Sequence, residues 1–510
     1  MLLAMFRWID NVIDGTNMYR LLLYYLGGLI AAAIVLSSFK ALNYNPWSLA
    51  ASTAILVGAC WIINKVFAYI FDAPINPESS LITGLILALI ITPNISGLNI
   101  LFLLAAPGLA MASKYLLTIR NKHIFNPAAV AVALTAFGPR QTASWWVGTA
   151  AMLPFVIIGG IFITRKIRRE RMIITFFAAT TASTIFYAII SKASVITSLK
   201  DMVLSSAIFF LGFVMLTEPA TSPPTAIKQT WYAAIVGFLL PPQVHILSYY
   251  SSPEIALVNG NVFSYLVSPK TKLFPILQRK YRIAANAADF IFSPGLKFAY
   301  QPGQYMEWTM QHTKTDSRGS RRYFTIASSP TEPDLRIGIK FSDKSSSFKE
   351  ALLGADKDTL IVASQLAGDF VMPKDSSKKL VFIAGGIGIT PFRSMIKYLV
   401  DKNDRRSVTL LYSARTEEDL AYRDVFEQAR DRLGLNTIYT ITDNNAKISD
   451  PHARAGFVNG DLITRNVPGY LDSIFYISGT HAMVVAMQDM LADLGVPHHQ
   501  IKVDYFPGYA

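Results

Sequence analysis

The first 270 residues consist of apolar stretches of about 20 residues, separated by short loops that hold most of the charges. A helix needs about 20 apolar residues to cross the hydrocarbon core of a bilayer. The pattern predicts roughly ten spans, centred near residues 28, 58, 88, 108, 132, 155, 180, 209, 238 and 260. We therefore expect residues 1–270 to form a polytopic α-helical membrane domain.

The basic residues of this half predict its orientation. The densest basic loop covers residues 165–171, and loops rich in Lys and Arg stay in the cytoplasm. Alternation from that loop places both termini in the cytoplasm, as in a multi-pass protein of the plasma (inner) membrane surrounded by membrane lipid. The net charge of +13 is explained by these loops, and no aromatic-basic pattern accompanies it, so no nucleic-acid partner is expected. A homodimer is left open.

Ten spans with both ends inside divide into five plus five, with the second half inverted relative to the first. Similar residues recur in matching places: the third span ends in Thr92-Pro93 and the eighth in Thr217-Glu218-Pro219, while Asn126-Pro127 opens the fifth and residues 259–261 the tenth. Irregular backbone at membrane depth persists only where it is buried or lines a cavity. We therefore expect one polar cofactor or acceptor site near each face. The inner candidates are His123, Asn126, Thr217 and Ser222, and the outer candidates are Thr92 and Asn261.

Four motifs occur in order in this half: ESSLITGLILALIITP (78–93), KHIFNPAAV (122–130), FVMLTEPATSP (213–223) and PEIALVNGNVFSYLVSP (253–269). They resemble the flavin-carrying membrane subunit of the Rnf electron-transport complex and the related subunit of the sodium-pumping NADH:quinone oxidoreductase. The resemblance covers residues 20–270 and implies a ten-helix, twofold inverted-repeat domain that passes electrons through flavins. The family's Gly-Ala-Thr string, whose threonine carries FMN covalently, has no counterpart, because Ala193–Ser198 lacks it. We therefore expect a non-covalent second flavin, FMN or riboflavin.

Other redox groups fit the composition poorly. The single cysteine, Cys60, rules out an intramolecular disulfide and an all-cysteine iron–sulfur cluster. Only His123 and His245 lie in the membrane half, near opposite predicted faces, so they cannot ligate one haem between them. No metal site is predicted.

The pattern changes after residue 270, where charged, polar and apolar residues mix. Short strands with turn residues predict a β-barrel over residues 271–376. Strands that alternate with helices predict a parallel α/β domain over residues 377–510.

The barrel contains YQPGQY (300–305) and RRYFTIASSP (321–330), which resemble the FAD-binding signature of the ferredoxin–NADP reductase family. The resemblance implies that Arg322 binds the pyrophosphate, Phe324 stacks on the isoalloxazine and Thr325 lies near the flavin N5. The string SSSF (345–348) begins a predicted helix, whose N-terminus suits an anion. The further FAD-binding residues expected are Tyr305, Ser328, Ser346 and Ser347.

In the α/β domain, the strand LVFIA (380–384) leads into GGIGITP (385–391). A glycine turn between a strand and a helix lets backbone N–H groups approach a pyrophosphate, and this version resembles the reductase family's nicotinamide-nucleotide turn. The string YISGTHAM (476–483) resembles the family's Cys-Gly-Pro motif, with Ser478 and Thr480 in place of cysteine and proline. The expected nucleotide-binding residues are Gly385, Gly386, Gly388, Thr390, Pro391, Gly479 and Met483.

The choice between NADH and NADPH rests on the end of the second strand. Ser413 and Arg415 suit the 2′-phosphate of NADPH, whereas the acidic run at 417–419 repels it, which favours NADH. In the resembled family an aromatic residue near the C-terminus covers the flavin until nicotinamide displaces it. Phe506 or Tyr509 is the candidate here, and a plain packing role is the alternative.

Together these features predict an enzyme, a membrane-bound FAD-dependent NAD(P)H oxidoreductase. Electrons would pass from FAD to a flavin in the membrane domain and on to a quinone, an extracellular flavin or a ferric acceptor. Two alternatives remain. The same chemistry could drive Na⁺ or H⁺ movement, although mid-membrane ionisable residues are missing from the predicted spans. A transporter with a redox-sensing nucleotide domain would bind nucleotide without consuming it.

Overall fold

The computed structural model describes residues 16–71, 77–97, 99–119, 122–137, 142–204, 207–246, 249–269, 272–296, 298–313, 315–316, 319–342 and 345–504. The chain divides into two compact units, Met1–Thr271 and Lys272–Ala510. The boundary falls where the sequence changes from apolar to mixed composition.

The first unit is helical. Polar side chains begin several of its helices: the side-chain oxygens of Asn17 and Asn45 accept hydrogen bonds from the N-terminal amides of the first two, and Ser252 does the same for the last. Its helices are α1 (Met18–Ser38), α2 (Pro46–Ile70), α3 (Pro77–Ile90), α4 (Asn99–Leu116), α5 (Pro127–Phe137), α6 (Leu153–Ile167), α7 (Glu170–Ile190), α8 (Val195–Leu204), α9 (Ile208–Phe210), α10 (Ala226–Leu239) and α11 (Pro253–Val267).

Four helices of the described chain, α1, α2, α4 and α7, are long and apolar enough to cross a membrane. A fifth span results if α8 and the helical segment Ile208–Met215, bent by 59° relative to it, are counted as one. Helices α3, α5, α6, α10 and α11 have 11 to 15 residues, or about 17–23 Å at 1.5 Å per residue. That is less than the thickness of a bilayer core, about 30 Å, so ten full spans stay a prediction.

The order of elements in the first unit occurs twice. A short antiparallel hairpin, β1 (Thr118–Ile119) with β2 (Lys122–His123), connects α4 to α5. A second hairpin, β3 (His245–Ile246) with β4 (Tyr249–Tyr250), connects α10 to α11 in the same way. Helices α5 and α11 pack against each other, as do α1 and α6. This recurrence agrees with a five-plus-five division, and the inverted orientation stays a prediction.

Helix α9 continues into a π-helix, Leu211–Met215, in which every residue is buried. The amide of Leu216 donates to the carbonyl oxygen of Leu211 at 2.8 Å, which is the i to i+5 hydrogen bond of a π-turn. Single π-turns inside helices occur often at functional sites. This one ends at Met215, and after Leu216 the chain continues into Thr217-Glu218-Pro219.

The second unit begins with six strands and one helix. They are β5 (Ile276–Ala284), β6 (Ala287–Ser293), β7 (Tyr305–Met310), β8 (Arg321–Thr325), β9 (Leu335–Lys340), α12 (Ser347–Gly354) and β10 (Ile361–Ala367). The strands form two antiparallel sheets in the orders β5-β6-β9 and β10-β7-β8, around a core that includes Phe290, Phe292 and Trp308. The predicted strands are thus present, but the prediction of a closed barrel is wrong for the described residues. Two register shifts in β5 disturb its pairing, as bulges do, and no ladder joins β8 to β9.

The rest of the second unit is the predicted parallel α/β layer, which is confirmed. Its sheet has the order β14-β13-β12-β11-β15-β16, and all neighbouring strands are parallel. The elements are β11 (Leu380–Gly385), α13 (Thr390–Lys402), β12 (Val408–Ala414), α14 (Arg423–Leu433), β13 (Asn436–Ile441), β14 (Ala453–Ala455), α15 (Gly460–Asn466), β15 (Ile474–Ser478), α16 (His481–Asp493) and β16 (Ile501–Asp504). The chain order reverses at β11, and such a switch point is where open α/β sheets bind ligands.

Candidate functional site

Strand β8 holds the residues predicted to bind FAD. It pairs with β7 so that Tyr305 lies opposite Thr325. Successive side chains of a strand point to opposite faces, so Arg322 and Phe324 share one face, and that face meets α12. The guanidinium carbon of Arg322 lies 5.5 Å from the ring centre of Phe348, and the rings of Phe324 and Phe348 are 6.0 Å apart.

Arg322 is only 8% exposed and lies beside the N-terminus of α12. Its Nη1 donates to the carbonyl oxygens of Gly319, at 3.1 Å, and Arg321, at 2.6 Å. Its Nη2 is 3.8 Å from Oδ1 of Asp316, and the same carboxylate accepts a 3.0 Å hydrogen bond from the amide of Ser347. A guanidinium and a helix N-terminus therefore converge on one negative group, the arrangement that a pyrophosphate site requires.

The two predicted serines lie at this helix N-terminus. Ser346 is fully buried, and its hydroxyl accepts from the amide of Lys349 at 3.4 Å as the N-cap of α12. The Ser347 hydroxyl bonds with His312 Nε2 at 2.8 Å and accepts from the amide of Asp316 at 3.0 Å. His312 and Asp316 were not predicted from the sequence. An acid and a histidine in the loop before an arginine pair were the available signal, but such residues are common in solvated turns.

The loop after β8 is held firmly. The Ser328 hydroxyl accepts hydrogen bonds from Tyr300 at 3.1 Å and from the amide of Arg336 at 3.0 Å, so it stabilises the loop. Thr325 is 4% exposed and is the hydroxyl at the end of the strand. The ring of Tyr305 packs edge-on against that of Tyr323, with 5.7 Å between centroids. A direct contact of Thr325 with a flavin stays a prediction.

The glycine turn follows β11 as a short 3₁₀ segment, Gly386–Ile389, and leads into α13 with Thr390 and Pro391 in its first turn. Gly386 has a φ of +54°, which favours glycine. A Cβ at Gly388 would lie 2.4 Å from the carbonyl oxygen of Ser478 and 2.7 Å from the nitrogen of Gly479. These contacts seat the turn directly on the end of β15.

The second predicted nucleotide motif, residues 476–483, lies against this turn. We call the glycine turn, residues 385–391, together with this motif the nucleotide cradle. A Cβ at Gly385 would lie 2.1 Å from Sδ of Met483, and one at Gly479 would lie 2.9 Å from the same atom. The structure therefore brings together all the nucleotide-binding residues predicted from the two glycine motifs. The lack of a side chain at Gly388 lets the turn before α13 lie against the backbone at the end of β15, and an opening at such strand ends suits a dinucleotide.

Ser413 pairs with Gly385 in the sheet, so the end of β12 lies beside the glycine turn. A cleft there is lined by Gly386, Tyr412, Arg415, Asp419 and Lys340, among others. The Arg415 side chain is 77% exposed, with its Nε 3.5 Å from Oδ2 of Asp443. The cleft thus presents both basic groups and a carboxylate to a nucleotide.

One member of the acidic run faces elsewhere. The Glu417 carboxylate accepts hydrogen bonds from the amides of Ser449, at 2.7 Å, and Asp450, at 2.9 Å, and from the Ser449 hydroxyl at 2.6 Å. Among the acidic residues 417–419, Asp419 is the one that lines the cleft. The predicted repulsion of a 2′-phosphate therefore rests on Asp419.

The predicted C-terminal aromatics, Phe506 and Tyr509, lie outside the described residues. The last described strand, β16, pairs Asp504 with Ser478. The chain therefore leaves the described structure next to the strand end that carries Gly479.

In the first unit, three predicted inner residues meet in one polar cluster. Asn126 Nδ2 donates to Glu218 Oε2 at 2.9 Å, and its Oδ1 accepts from the amide of Ala129 at 3.0 Å as the N-cap of α5. Arg169 Nη1 donates to the carbonyl oxygen of Thr217 at 2.9 Å and to the Ser222 hydroxyl. A pocket beside the cluster is lined by the polar residues Ser79, Thr83, Asn126, Thr217 and Glu218 along with apolar side chains. His123 lies in hairpin strand β2, opposite Thr118.

The predicted separation of Asn261 from Asn126, at opposite faces of the unit, is wrong. Oδ1 of Asn261 accepts from the amide of Asn126 at 2.8 Å, and its Nδ2 donates to the Tyr232 hydroxyl at 3.2 Å, so both asparagines belong to one cluster. The cause is a helix boundary: α11 begins at Pro253, and Asn261 lies eight residues, or about 12 Å, inside it. Arg169 was also missed, because the basic loop was used only to predict topology, and Tyr232 was missed because it lies within an apolar helix.

The other predicted outer residue, Thr92, is exposed and lies where α3 ends. Close by in the chain, Ile91 accepts a 3.0 Å hydrogen bond from the indole of Trp146. The neighbouring Trp145 donates its indole N–H to Glu254 Oε2 at 2.8 Å, and Glu254 is only 3% exposed. Glu254 was not singled out from the sequence, and its burial was not predicted.

Comparison with known proteins identifies an oxidoreductase NAD-binding domain over residues 382–489. Curated relatives include the flavohemoproteins of Bacillus subtilis, 27% identical over 41% of this chain and 51% of that protein, and of Deinococcus radiodurans, 28% identical over 43% and 57%. The chain thus spans slightly more than half the length of these relatives. Among solved structures, the FAD/NAD-binding domain of a Vibrio cholerae nitric oxide dioxygenase matches 46% of this chain and 98% of that one, with 20% identity and a TM-score of 0.41. The structure of flavohemoglobin from Malassezia yamatoensis matches 80% of this chain and 97% of its own, with 16% identity and a TM-score of 0.45.

The second unit therefore contains an oxidoreductase NAD-binding domain, and its glycine turn and β15 motif lie within the matched residues. The matched domain lies wholly outside residues 1–270, and the resemblance of the first unit to the Rnf subunit stays a prediction.

Proposed function

We propose that this chain is a membrane-bound NAD(P)H dehydrogenase whose second unit binds FAD and accepts hydride from NAD(P)H. The observation that carries the proposal is the pairing, within one unit, of the Arg322 and α12 anion site with the glycine turn at β11. Bound FAD supplies an isoalloxazine that accepts a hydride and releases single electrons. The residues of this chain would hold and orient FAD: Arg322 and the α12 N-terminus would bind the pyrophosphate, and Phe324 and Thr325 would hold the isoalloxazine.

The test of this step is reduction of the purified protein without oxygen. We expect about one FAD per chain after acid extraction and chromatography, and loss of its visible absorbance when NADH or NADPH is added. Nucleotide binding without loss of absorbance would instead support the redox-sensing alternative. The flavohemoprotein relatives are named as flavoproteins, which supports the FAD assignment.

We expect NADH to be the better substrate, because Asp419 lines the cleft in which a 2′-phosphate would lie. Replacing Asp419 with asparagine should improve kcat/KM for NADPH about fivefold and leave that for NADH nearly unchanged, since one nearby like charge costs about 1 kcal/mol. The matched control is Asp424→Asn, which removes an exposed carboxylate at the start of α14. Equal changes in both variants would show that general surface charge sets the preference.

We further propose that electrons continue from FAD to a non-covalent flavin in the helical unit and then to a quinone, an extracellular flavin or a ferric acceptor. The pocket with Asn126, Thr217 and Glu218 supports this step, because its few polar groups among apolar walls suit an aromatic ring with polar edges. The apolar helices and the basic loops support a multi-pass protein of the plasma membrane with cytoplasmic termini. The flavin inventory decides between the routes, since FAD alone would exclude an internal flavin relay.

The double variant Asn126→Ala/Thr217→Ala should lose the second flavin, by at least about tenfold relative to FAD, because two hydrogen-bonding groups disappear from the pocket. Flavin content after acid extraction measures the effect, with FAD as the internal reference. Thr135→Ala/Thr180→Ala is the matched control, because both threonines are buried in the same unit and bond to backbone carbonyls. Unchanged flavin content in the Asn126/Thr217 variant would show that the inner pocket is not the site.

A further inference from the structure

A buried ionic pair connects α13 with the loop that follows β8. Arg393 is 3% exposed, and its guanidinium makes a two-point contact with Glu332, with Nη2 donating to Oε1 at 2.8 Å and Nη1 to Oε2. Nη1 also donates to the carbonyl oxygen of Ala327 at 3.0 Å. Glu332 Oε2 in turn accepts from the amide of Ser329 at 2.7 Å. This charged pair therefore attaches the loop that begins directly after Thr325 to α13.

The pair belongs to a larger cluster with two positive and two negative groups. Arg336, on β9, lies 3.5 Å from Glu332 and 3.2 Å from Asp289 on β6. The Tyr422 hydroxyl donates to the other oxygen of Asp289 at 3.0 Å. The cluster thus ties the β5-β6-β9 sheet to both α13 and the segment before α14.

The pKa values of the two carboxylates, Asp289 and Glu332, are shifted in opposite directions. Burial raises the pKa of Asp289, in spite of the nearby arginines. Burial also acts to raise the pKa of Glu332, but its hydrogen bonds and charge interaction with Arg393 outweigh this, and its pKa lies below the usual value. Replacing a buried ion pair by apolar groups is often neutral for stability. A contribution to stability is therefore a weak explanation for the presence of this cluster. The position of the cluster explains its presence better.

That geometry spans the two halves of the hydride-transfer site. Arg393 lies three residues after Thr390, on the helix that carries the glycine turn at its N-terminus. Ala327 lies two residues after Thr325, the hydroxyl predicted to lie near the flavin N5. A second bond, from the Ser394 hydroxyl to the carbonyl oxygen of Ser328 at 2.5 Å, reinforces the same connection.

We propose that Arg393 and Glu332 are positioning residues for hydride transfer, which fix the distance between the end of β8 and the glycine turn. This inference rests on the proposed function. In the step, the C4–H bond of the reduced nicotinamide breaks, and the hydrogen moves with both electrons to the flavin. NAD(P)H is oxidised and FAD is reduced, and no group of the cluster gains or loses a proton. A displacement of 1 Å between reacting groups costs about 100-fold in rate.

The test uses the full chain in detergent with FAD bound. In the Arg393→Met variant we expect single-turnover reduction of FAD by NAD(P)H to slow by about 10- to 100-fold. The affinity for NAD⁺ should stay within about threefold of that of the wild type, because the Arg393 side chain bonds to Glu332 and Ala327 and does not line the cleft. Amide hydrogen exchange should quicken in residues 326–332, which is a readout independent of turnover.

Arg406→Met is the matched control. Arg406 donates to Oδ2 of Asp404 from Nε, at 3.1 Å, and from Nη2, at 2.7 Å, and its Nη1 donates to the carbonyl oxygen of Pro373 at 3.0 Å. Its side chain is 7% exposed. We expect this variant to lose stability without slowing hydride transfer per bound FAD. Equal slowing in the two variants, or a wild-type rate in Arg393→Met, would overturn the inference.

Two milder variants keep the test decisive if Arg393→Met does not fold. Arg393→Lys keeps the charge but not the fork that reaches both Glu332 and Ala327, and Ser394→Ala removes only the second bond. We expect both to slow hydride transfer, and wild-type rates in both would overturn the inference. A wild-type protein that NAD(P)H does not reduce would instead overturn the proposed function. Hydrogen exchange would then decide whether the cluster orders the loop.

Discussion

The Gly388→Val variant should lose NAD(P)H oxidation by at least about 100-fold while it retains FAD. A Cβ at this position lies 2.4 Å from the carbonyl oxygen of Ser478 and 2.7 Å from the nitrogen of Gly479, and both atoms belong to backbone. The neighbours cannot rotate away, so the turn must move off the end of β15. Overpacking of this kind costs about 1–3 kcal/mol, and here the displaced element is the nucleotide cradle itself.

The measurement is kcat/KM with ferricyanide as an artificial acceptor, together with FAD content. Two glycine variants serve as controls. Gly386→Ala places a side chain at a φ of +54° with no atom within 4 Å of the new Cβ, so it adds backbone strain of about 1–2 kcal/mol without a collision. Gly354→Ala, at the end of α12, meets neither obstacle. We expect the largest loss in Gly388→Val, a smaller one in Gly386→Ala and the smallest in Gly354→Ala. A Gly388→Val enzyme with normal kcat/KM would show that this glycine turn does not bind the nucleotide.

The second large effect is expected at the FAD site, where Arg322→Gln should weaken FAD binding by about 10- to 100-fold. Hydrogen bonds to charged groups contribute about 1.5–3 kcal/mol, and the substitution removes the charge that meets the pyrophosphate. FAD per chain after gel filtration gives a first measure, and titration of the apoprotein with FAD gives the dissociation constant.

The neighbouring arginine provides the control. Arg321 points to the other face of β8, where it pairs with Glu307 at 3.7 Å. Arg321→Gln should therefore leave FAD content nearly unchanged. Asp316→Asn should strengthen FAD binding, because it removes the carboxylate that lies at the same helix N-terminus as Arg322. Equal FAD loss from both arginine variants would mean that β8 is merely destabilised.

The sequence predicted the second unit well because its motifs are local. The glycine turn lies between a strand and a helix that both follow from hydrophobic pattern, and Gly385, Gly388 and Gly479 lie close together in the structure. Asp316 could not be predicted in the same way. Its position beside Arg322 depends on a loop whose path is set by contacts with α12, which lies about 30 residues farther along the chain.

In the first unit, the sequence predicted which segments are helical better than where each helix begins. Asn261 was placed at a helix end, because asparagine and glycine favour such positions. In the structure the asparagine is stabilised inside α11 by the amide of Asn126 and the hydroxyl of Tyr232. Pairings over 135 and 29 residues leave no trace in local periodicity. The ionic cluster around Arg393 was missed for the same reason.

The π-turn at Leu211–Met215 rotates the residues that follow it, and the corresponding helix of the first half has no such turn in its described residues. A π-turn inserts one extra residue into a helix, which rotates everything after it by about 100° relative to a regular helix. The corresponding helix of the first half, α3, is α-helical from Pro77 to Ile90. Thr217 and Glu218 therefore emerge at a different angle from Thr92 and its neighbours, although the order of elements is the same. If the two halves are related by the predicted inversion, this inserted residue makes the geometry around Thr217 and Glu218 differ from that around Thr92.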